Sequence, residues 1–205
     1  MILGVRTVRI GITGPIGCGK SQVVRWLHEL GVHVVDADAE ARAVTAPGHP
    51  THDLVLRRWP QAAGPDGSLD RKALGRIVFA DPEALRELEQ IVHPAVRPRI
   101  LARIEAAEEA GAPAVVIEAI KLVEGGLASH CDEVWLVTCD PAVQRERLTA
   151  RGASAEEADQ RMAAQAGLAR RLAPSATRVI DTSGSPEATR ALVVDALGAA
   201  IAERR

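Results

Sequence analysis

The run Gly14-Pro15-Ile16-Gly17-Cys18-Gly19-Lys20-Ser21 constrains this chain more than any other feature. An apolar stretch, Val8–Thr13, precedes it and reads as a buried strand. Apolar residues at 23, 24, 27 and 30 follow at helical spacing, and Gly31 ends that helix. Strand, glycine-rich loop and helix in that order form an anion cradle. Glycines let the backbone curl so that successive N–H groups point inward at phosphates. Lys20 adds a cation that can follow the β- and γ-phosphates, and the Ser21 hydroxyl is a hard oxygen ligand for Mg²⁺. The helix aims its positive end at the same anion. Gly14, Gly17, Cys18, Gly19, Lys20, Ser21 and Gln22 are therefore the candidate ATP-binding residues, with Lys20 also a candidate in catalysis. Cys18 is expected to act through its backbone, with a redox role for the thiol as the alternative.

A second β-branched run, Val32–Val35, stops at Asp36-Ala37-Asp38. Strand, helix, strand implies a parallel sheet. From Ala39 to Gly111 the pattern turns helical with no convincing strand, punctuated by Pro47, Pro60, Pro65, Pro82, Pro94 and Pro98. Asp81-Pro82-Glu83 has the form of a helix start. Strands return at Ala114–Ile117, Val134–Thr138 and Arg178–Ile180, and a final helix covers Pro186–Ala202. Five short strands with intervening helices and a helical insertion make an α/β fold. Trp135 falls mid-strand and reads as core. Trp59 reads as packing, with a substrate-pocket wall as the alternative.

The carboxylates follow from this frame. In doubly wound sheets ligands bind outside the carboxyl ends of the strands. Asp36 and Asp38 end the second strand, and one of them is the candidate base that takes a proton from an acceptor hydroxyl. A helix N-cap is the other reading for Asp36, and a solvated first-turn acid for Asp38. Glu118 ends the third strand and could hold Mg²⁺, or be a structural ion-pair partner like Glu124. Between 140 and 178, seven arginines against five acids leave a local excess of two positive charges. Arg147, Arg151 and Arg161 flank a turn at Gly152, the pattern of a helical hairpin that closes over a triphosphate; a solvated charged helix pair is the alternative. Arg147 is the candidate catalytic arginine of this segment, and Arg147 and Arg151 are candidate nucleotide ligands.

Composition narrows the class. A net charge of −2 gives no global basic field for nucleic acid or an anionic membrane. No run approaches the roughly 18 uninterrupted apolar residues of a spanning helix. Three cysteines, at 18, 131 and 139, form no CxxC pair, which argues against a disulfide framework or a structural zinc site. The N-terminal apolar run leads into Gly-Ile-Thr-Gly-Pro and reads as the first strand, not a leader. A cytoplasmic enzyme acting on a small molecule is the expectation.

These motifs resemble the dephospho-coenzyme A kinase family over nearly the whole chain. Gly11-Ile-Thr-Gly-Pro-Ile-Gly-Cys-Gly-Lys-Ser21 is similar to its phosphate loop, and Asp36-Ala37-Asp38 with Ala41-Arg42 to its Asp-Ala-Asp motif. Ile91-Val-His93-Pro94 resembles its Leu-His-Pro element, and Ala163-Ala-Gln165 and Val179-Ile-Asp181 its C-terminal pattern. The resemblance implies an α/β fold of P-loop NTPase type: a parallel five-stranded sheet flanked by helices, a helical substrate domain and a small helical lid. It divides the chain into a nucleotide-binding core (1–38, 112–140 and 174–205), a substrate domain (39–111) and a lid (141–173). It implies ATP-dependent phosphorylation of the ribose 3′-hydroxyl of dephospho-coenzyme A, with Asp38 as base and Arg147 in the lid. Asp38, Arg42, His93 and Lys121 become the candidate acceptor-binding residues. The chain departs from the family at Lys121, within Ile120-Lys121-Leu122-Val123-Glu124 where Pro-Leu-Leu-Phe-Glu is common, and at Thr182, where Asn is common. Another P-loop kinase of small molecules or nucleoside monophosphates is the alternative enzyme, and a nucleotide-gated switch the alternative of another class.

Overall fold

The computed structural model describes residues 6–203, so the termini assigned to the core at 1–5 and 204–205, including the start of the N-terminal apolar run, lie outside the described residues. Strands β1 (Val8–Thr13), β2 (His33–Asp36), β3 (Ala114–Glu118), β4 (Glu133–Thr138) and β5 (Arg178–Asp181) form one sheet in the order β2-β3-β1-β4-β5. β1 pairs in parallel with β3 and β4, and β4 with β5. This is the five-stranded parallel α/β sheet expected from the sequence. The strand feeding the glycine loop is central because its residues are buried from both faces, which suits an uninterrupted apolar run. The observed strands β2, β3 and β5 each run one residue further than predicted, to Asp36, Glu118 and Asp181.

By contacts the chain forms two compact units. One runs to Val35 and resumes at Ile104; the other is Asp36–Arg103. In the first, helix α1 (Lys20–Glu29) buries Val23, Val24, Trp26 and Leu27. The last helix, α9 (Pro186–Ala202), buries Thr189, Val193, Ala196, Leu197 and Ala200. The apolar members of both sets join Ile10, Ile12, Val116, Trp135 and Val137 in one core. With aromatics at only 2% of the chain, branched aliphatic side chains fill this space. Arg9 ties β1 to the end of a long helix, α5 (Pro82–Glu109), through paired bonds to Glu108 of 2.6 and 2.9 Å.

The second unit contains α2 (Ala37–Val44), α3 (Pro50–Arg58), α4 (Arg71–Ala80) and most of α5. Its core is Val55, Trp59, Ala62, Leu74, Val78 and Ala84. Trp59 is thus a packing residue, with the Arg58 guanidinium 5.2 Å from its ring centre. Asp70 caps α4 by accepting from the Lys72 and Ala73 amides. The buried Glu40 accepts from Arg99 and Arg103, one α-helical turn apart on α5. Extended structure here is limited, among the described residues, to an isolated bridge between Ala63 and Leu69. Pro94 and Pro98 do not interrupt α5, contrary to their reading as punctuation. Among the described residues no helix is long and apolar enough to cross a membrane.

Candidate active site

The loop between β1 and α1 wraps tightly because its glycines permit it. Gly14 approaches β4 so closely that a Cβ there would lie 2.1 Å from the Val137 carbonyl oxygen. Gly17 and Gly19 take φ of 79° and 83°, where L side chains are strained. The Lys20 ammonium folds back over the loop and donates to the Gly14 and Pro15 carbonyl oxygens at 2.7 and 3.0 Å. These two bonds fold the side chain against the loop's own backbone. Ser21 and Gln22 occupy the first turn of α1, with Ser21 exposed.

After β4 come helices α6 (Pro141–Ala150), α7 (Ala155–Ala164) and the short α8 (Leu168–Leu172), and side chains from this segment reach the loop. A reciprocal capping box between Ser154 and Glu157 sets the start of α7. Gln144 of α6 donates to the Ile16 carbonyl at 2.6 Å, and Gln165, just after α7, accepts from the Ile16 amide at 2.7 Å. Two amides thus grip one loop residue from above and below in the hydrogen-bond sense, donor to acceptor and acceptor to donor.

Arg147 is anchored beside them. Its guanidinium donates to the Thr182 hydroxyl and to the Thr182 carbonyl, each at 2.7 Å. The same buried hydroxyl reaches the Cys18 carbonyl at 2.9 Å and the Thr138 carbonyl at 3.2 Å. Thr182 is therefore a hub that fixes the arginine to the loop backbone and to β4. Arg151 is the exposed C-cap of α6 and stands outside that hub. Arg145 pairs with Asp159 across the two helices, and Glu157 serves the cap rather than an arginine.

Glu118 ends β3 in register with Ile12, on the strand adjacent to the one that feeds the loop. Its carboxylate and the Ser21 hydroxyl are both hard oxygen donors. Among the described residues no three His, Cys, Asp or Glu side chains gather into an all-protein metal cage. This donor set suits a cation such as Mg²⁺, which uses one or two protein oxygens and completes its shell with phosphates and water. Lys121 is exposed in the turn after β3, where the next residue, Leu122, packs where a Gly11 side chain would have to go.

The remaining candidates belong to the second unit. Asp36 is the N-cap of α2, accepting from the Ala39 amide at 2.8 Å, and also meets Arg42 at 3.4 Å. The capping reading of Asp36 therefore applies. Asp38 is exposed in the first turn of α2, four residues before Arg42 on the same helix face. His93 is half-buried within α5. Gln144 escapes the sequence reading altogether; Gln165 enters it only within a family pattern and Thr182 only as a departure from one. A lone polar residue carries no signal until its partner, more than 30 positions away, is known.

The model of the family "Dephospho-CoA kinase" matches residues 8–187. A "Dephospho-CoA kinase" of Symbiobacterium thermophilum is 49% identical over 193 residues, covering 93% of this chain and 80% of that protein. One of Geobacter metallireducens is 44% identical over 187 residues, covering 90% of this chain and 92% of that one. Among solved structures, TT1252 from Thermus thermophilus superposes with a TM-score of 0.80 at 36% identity, covering 98% of this chain and 99% of the other.

Proposed function

Because this chain belongs to the dephospho-CoA kinase family, we propose that it transfers the γ-phosphoryl group of ATP to the ribose 3′-hydroxyl of dephospho-coenzyme A, with Asp38 as the base. The observation that carries this reading is the loop itself. Its glycine conformations, the Lys20 ammonium held over it and Arg147 anchored beside it form a polyphosphate cradle.

In this reading the loop amides from Gly14 to Ser21, with Gln22, hold the triphosphate. Lys20 and Arg147 neutralise charge that builds on the transferring group, and Arg151 adds to the field. Residues 141–173 act as a lid that excludes water from the phosphates. Residues 39–111 receive the acceptor, with Arg42, His93 and Lys121 as its ligands, and the remaining segments, 1–38, 112–140 and 174–205, form the nucleotide core. Ser21 and Glu118 would hold Mg²⁺, which supplies charge neutralisation at the phosphate oxygens when bound. Asp38 accepts the 3′-hydroxyl proton as the ribose oxygen bonds to the γ-phosphorus; the bond from that phosphorus to its bridging oxygen breaks, and ADP leaves. The capping bond of Asp36 to the Ala39 amide supports giving the base role to Asp38 instead.

Two conservative variants separate these roles. Asp38→Asn is nearly isosteric but is a far weaker base, and it places an N–H donor where an acceptor is needed. It is expected to lose on the order of 10²-fold in turnover, with ATP affinity within about twofold of wild type. Asp36→Asn caps as well as Asp, so its turnover should stay near wild type. Wild-type turnover in Asp38→Asn would overturn the mechanism and leave the family assignment intact.

A further inference from the structure

Two of the three thiols meet at the phosphate loop. Cys18 lies in the loop between Gly17 and Gly19, and Cys139 is the first residue after β4. Both are reduced, and their sulfurs are 2.7 Å apart, with the Cys139 thiol oriented to donate to Cys18. That separation is closer than an ordinary contact between two non-bonded sulfurs. Cys18 is buried, whereas Cys139 is half-buried at the edge of the core and is the member that solvent reaches. Phosphoryl transfer uses neither sulfur. Packing alone would be served by two alanines or serines.

We propose that Cys18 and Cys139 form a reversible thiol–disulfide site that reacts with low-molecular-weight disulfides, RSSR, and that its oxidation switches the phosphate loop off. Only the second half rests on the reading of the loop as an ATP site. In the first step Cys139 gives its proton to solvent and its thiolate attacks one sulfur of RSSR. The S–S bond of RSSR breaks, leaving a Cys139–SR mixed disulfide and RS⁻. Cys18 then loses its proton, attacks the Cys139 sulfur and displaces the second RS⁻. The two RS⁻ take up the two protons. Two protein thiols are thereby oxidised, and one small disulfide is reduced to two thiols.

The surroundings favour the second step, the attack by Cys18, while the first depends on the solvent access of Cys139. The bond from Cys139 lowers the Cys18 thiol below its ordinary range against the opposing effect of burial, with Lys20 and Arg147 adding to the lowering. Sharing with Cys18 and burial raise Cys139. One sulfur of the pair is thus the better resolving nucleophile while the other is the accessible one. Cys131 serves as an internal control, since burial pushes it up to about 12 and its thiol donates to the Leu127 carbonyl instead.

A covalent bond would draw the Cys18 backbone toward β4. The loop has no slack to absorb that pull. Gly14 already abuts Val137, Gly17 sits against Leu148 and Gln144, and Thr182 holds the Cys18 carbonyl. Misplacing reacting groups by about 1 Å can cost on the order of 10²-fold, so a partial displacement of the amides at 18 and 19 predicts roughly a tenfold loss of turnover.

The test treats the full-length protein with oxidised glutathione, alkylates the remaining thiols and maps the peptides by mass. The expected result is a Cys18–Cys139 cross-link with Cys131 alkylated, turnover down about tenfold, and recovery in dithiothreitol. Cys139→Ser and Cys139→Ala should keep basal turnover and resist oxidised glutathione. Stable glutathione adducts without the cross-link would overturn the proposal, as would a cross-link that leaves turnover unchanged. Mass mapping does not depend on kinase activity. A reduced protein that forms the cross-link but never phosphorylates dephospho-coenzyme A would instead sink the functional reading and leave the thiol site standing.

Discussion

Thr182→Val tests the hub beside the loop with almost no change of shape. The residue is 3% exposed, and valine replaces its hydroxyl with a methyl group. The change removes the acceptor for one Arg147 nitrogen at 2.7 Å and the donor to the Cys18 carbonyl at 2.9 Å. Thr138 loses little, because its carbonyl keeps the Thr182 amide at 2.9 Å. Arg147 keeps its second bond, to the Thr182 carbonyl. Leaving buried partners of this kind unmatched costs about 1–3 kcal/mol. For a chain of 205 residues, at roughly 2–4 °C per kcal/mol, the melting temperature should fall by about 2–12 °C. With one anchor instead of two, the guanidinium is less well positioned, and kcat should fall on the order of tenfold. Thr182→Ser keeps the hydroxyl and should stay within about 1 kcal/mol and threefold of wild type. Thermal melts and steady-state kinetics on the three proteins decide it. A valine variant with wild-type melting temperature and kcat would refute the hub, and a stability loss without a kinetic one would make Thr182 purely structural.

Lys20→Ala should cost on the order of 10²-fold or more in kcat while the melt shifts little, because the side chain lies outside the hydrophobic core. Gly14→Ala should fail in the opposite way: its Cβ would lie 2.1 Å from the Val137 carbonyl oxygen, so a large drop in melting temperature is expected along with lost ATP binding. The hydrogen bond from Arg9 holds Glu108 below the usual carboxylate range. That pair therefore adds stability above the carboxylate's unfolded value and loses it as pH falls through the lowered one, so Glu108→Gln should flatten the acid limb of a stability–pH profile.

The nucleotide half of the molecule was legible because its signals are local. A β-branched run, three glycines and a helical stripe lie within about 20 residues, and each constrains the next. Strand ends were less legible, since Asp36, Glu118 and Asp181 look like turn residues until the sheet pairs them or a helix cap begins. The course of α5 was misread for a physical reason. Pro94 and Pro98 each remove an N–H, but they lie four residues apart on one exposed face, where water can satisfy the freed carbonyls. For Asp36 the sequence leaves base and N-cap both open, and the bond from the Ala39 amide identifies it as the capping acid. The Gln144, Gln165 and Thr182 contacts and the Cys18–Cys139 pair join segments 35 to 164 residues apart, and no periodicity announces them.

The central claim concerns where the phosphate goes. Incubating the protein with ATP and dephospho-coenzyme A, then mapping the product by phosphorus NMR and mass spectrometry, tests it most directly. The account predicts one added phosphate, on the ribose 3′ oxygen, and no transfer to an acceptor whose 3′-hydroxyl has been removed. Phosphate on any other atom, or transfer that survives loss of the 3′-hydroxyl, would contradict it.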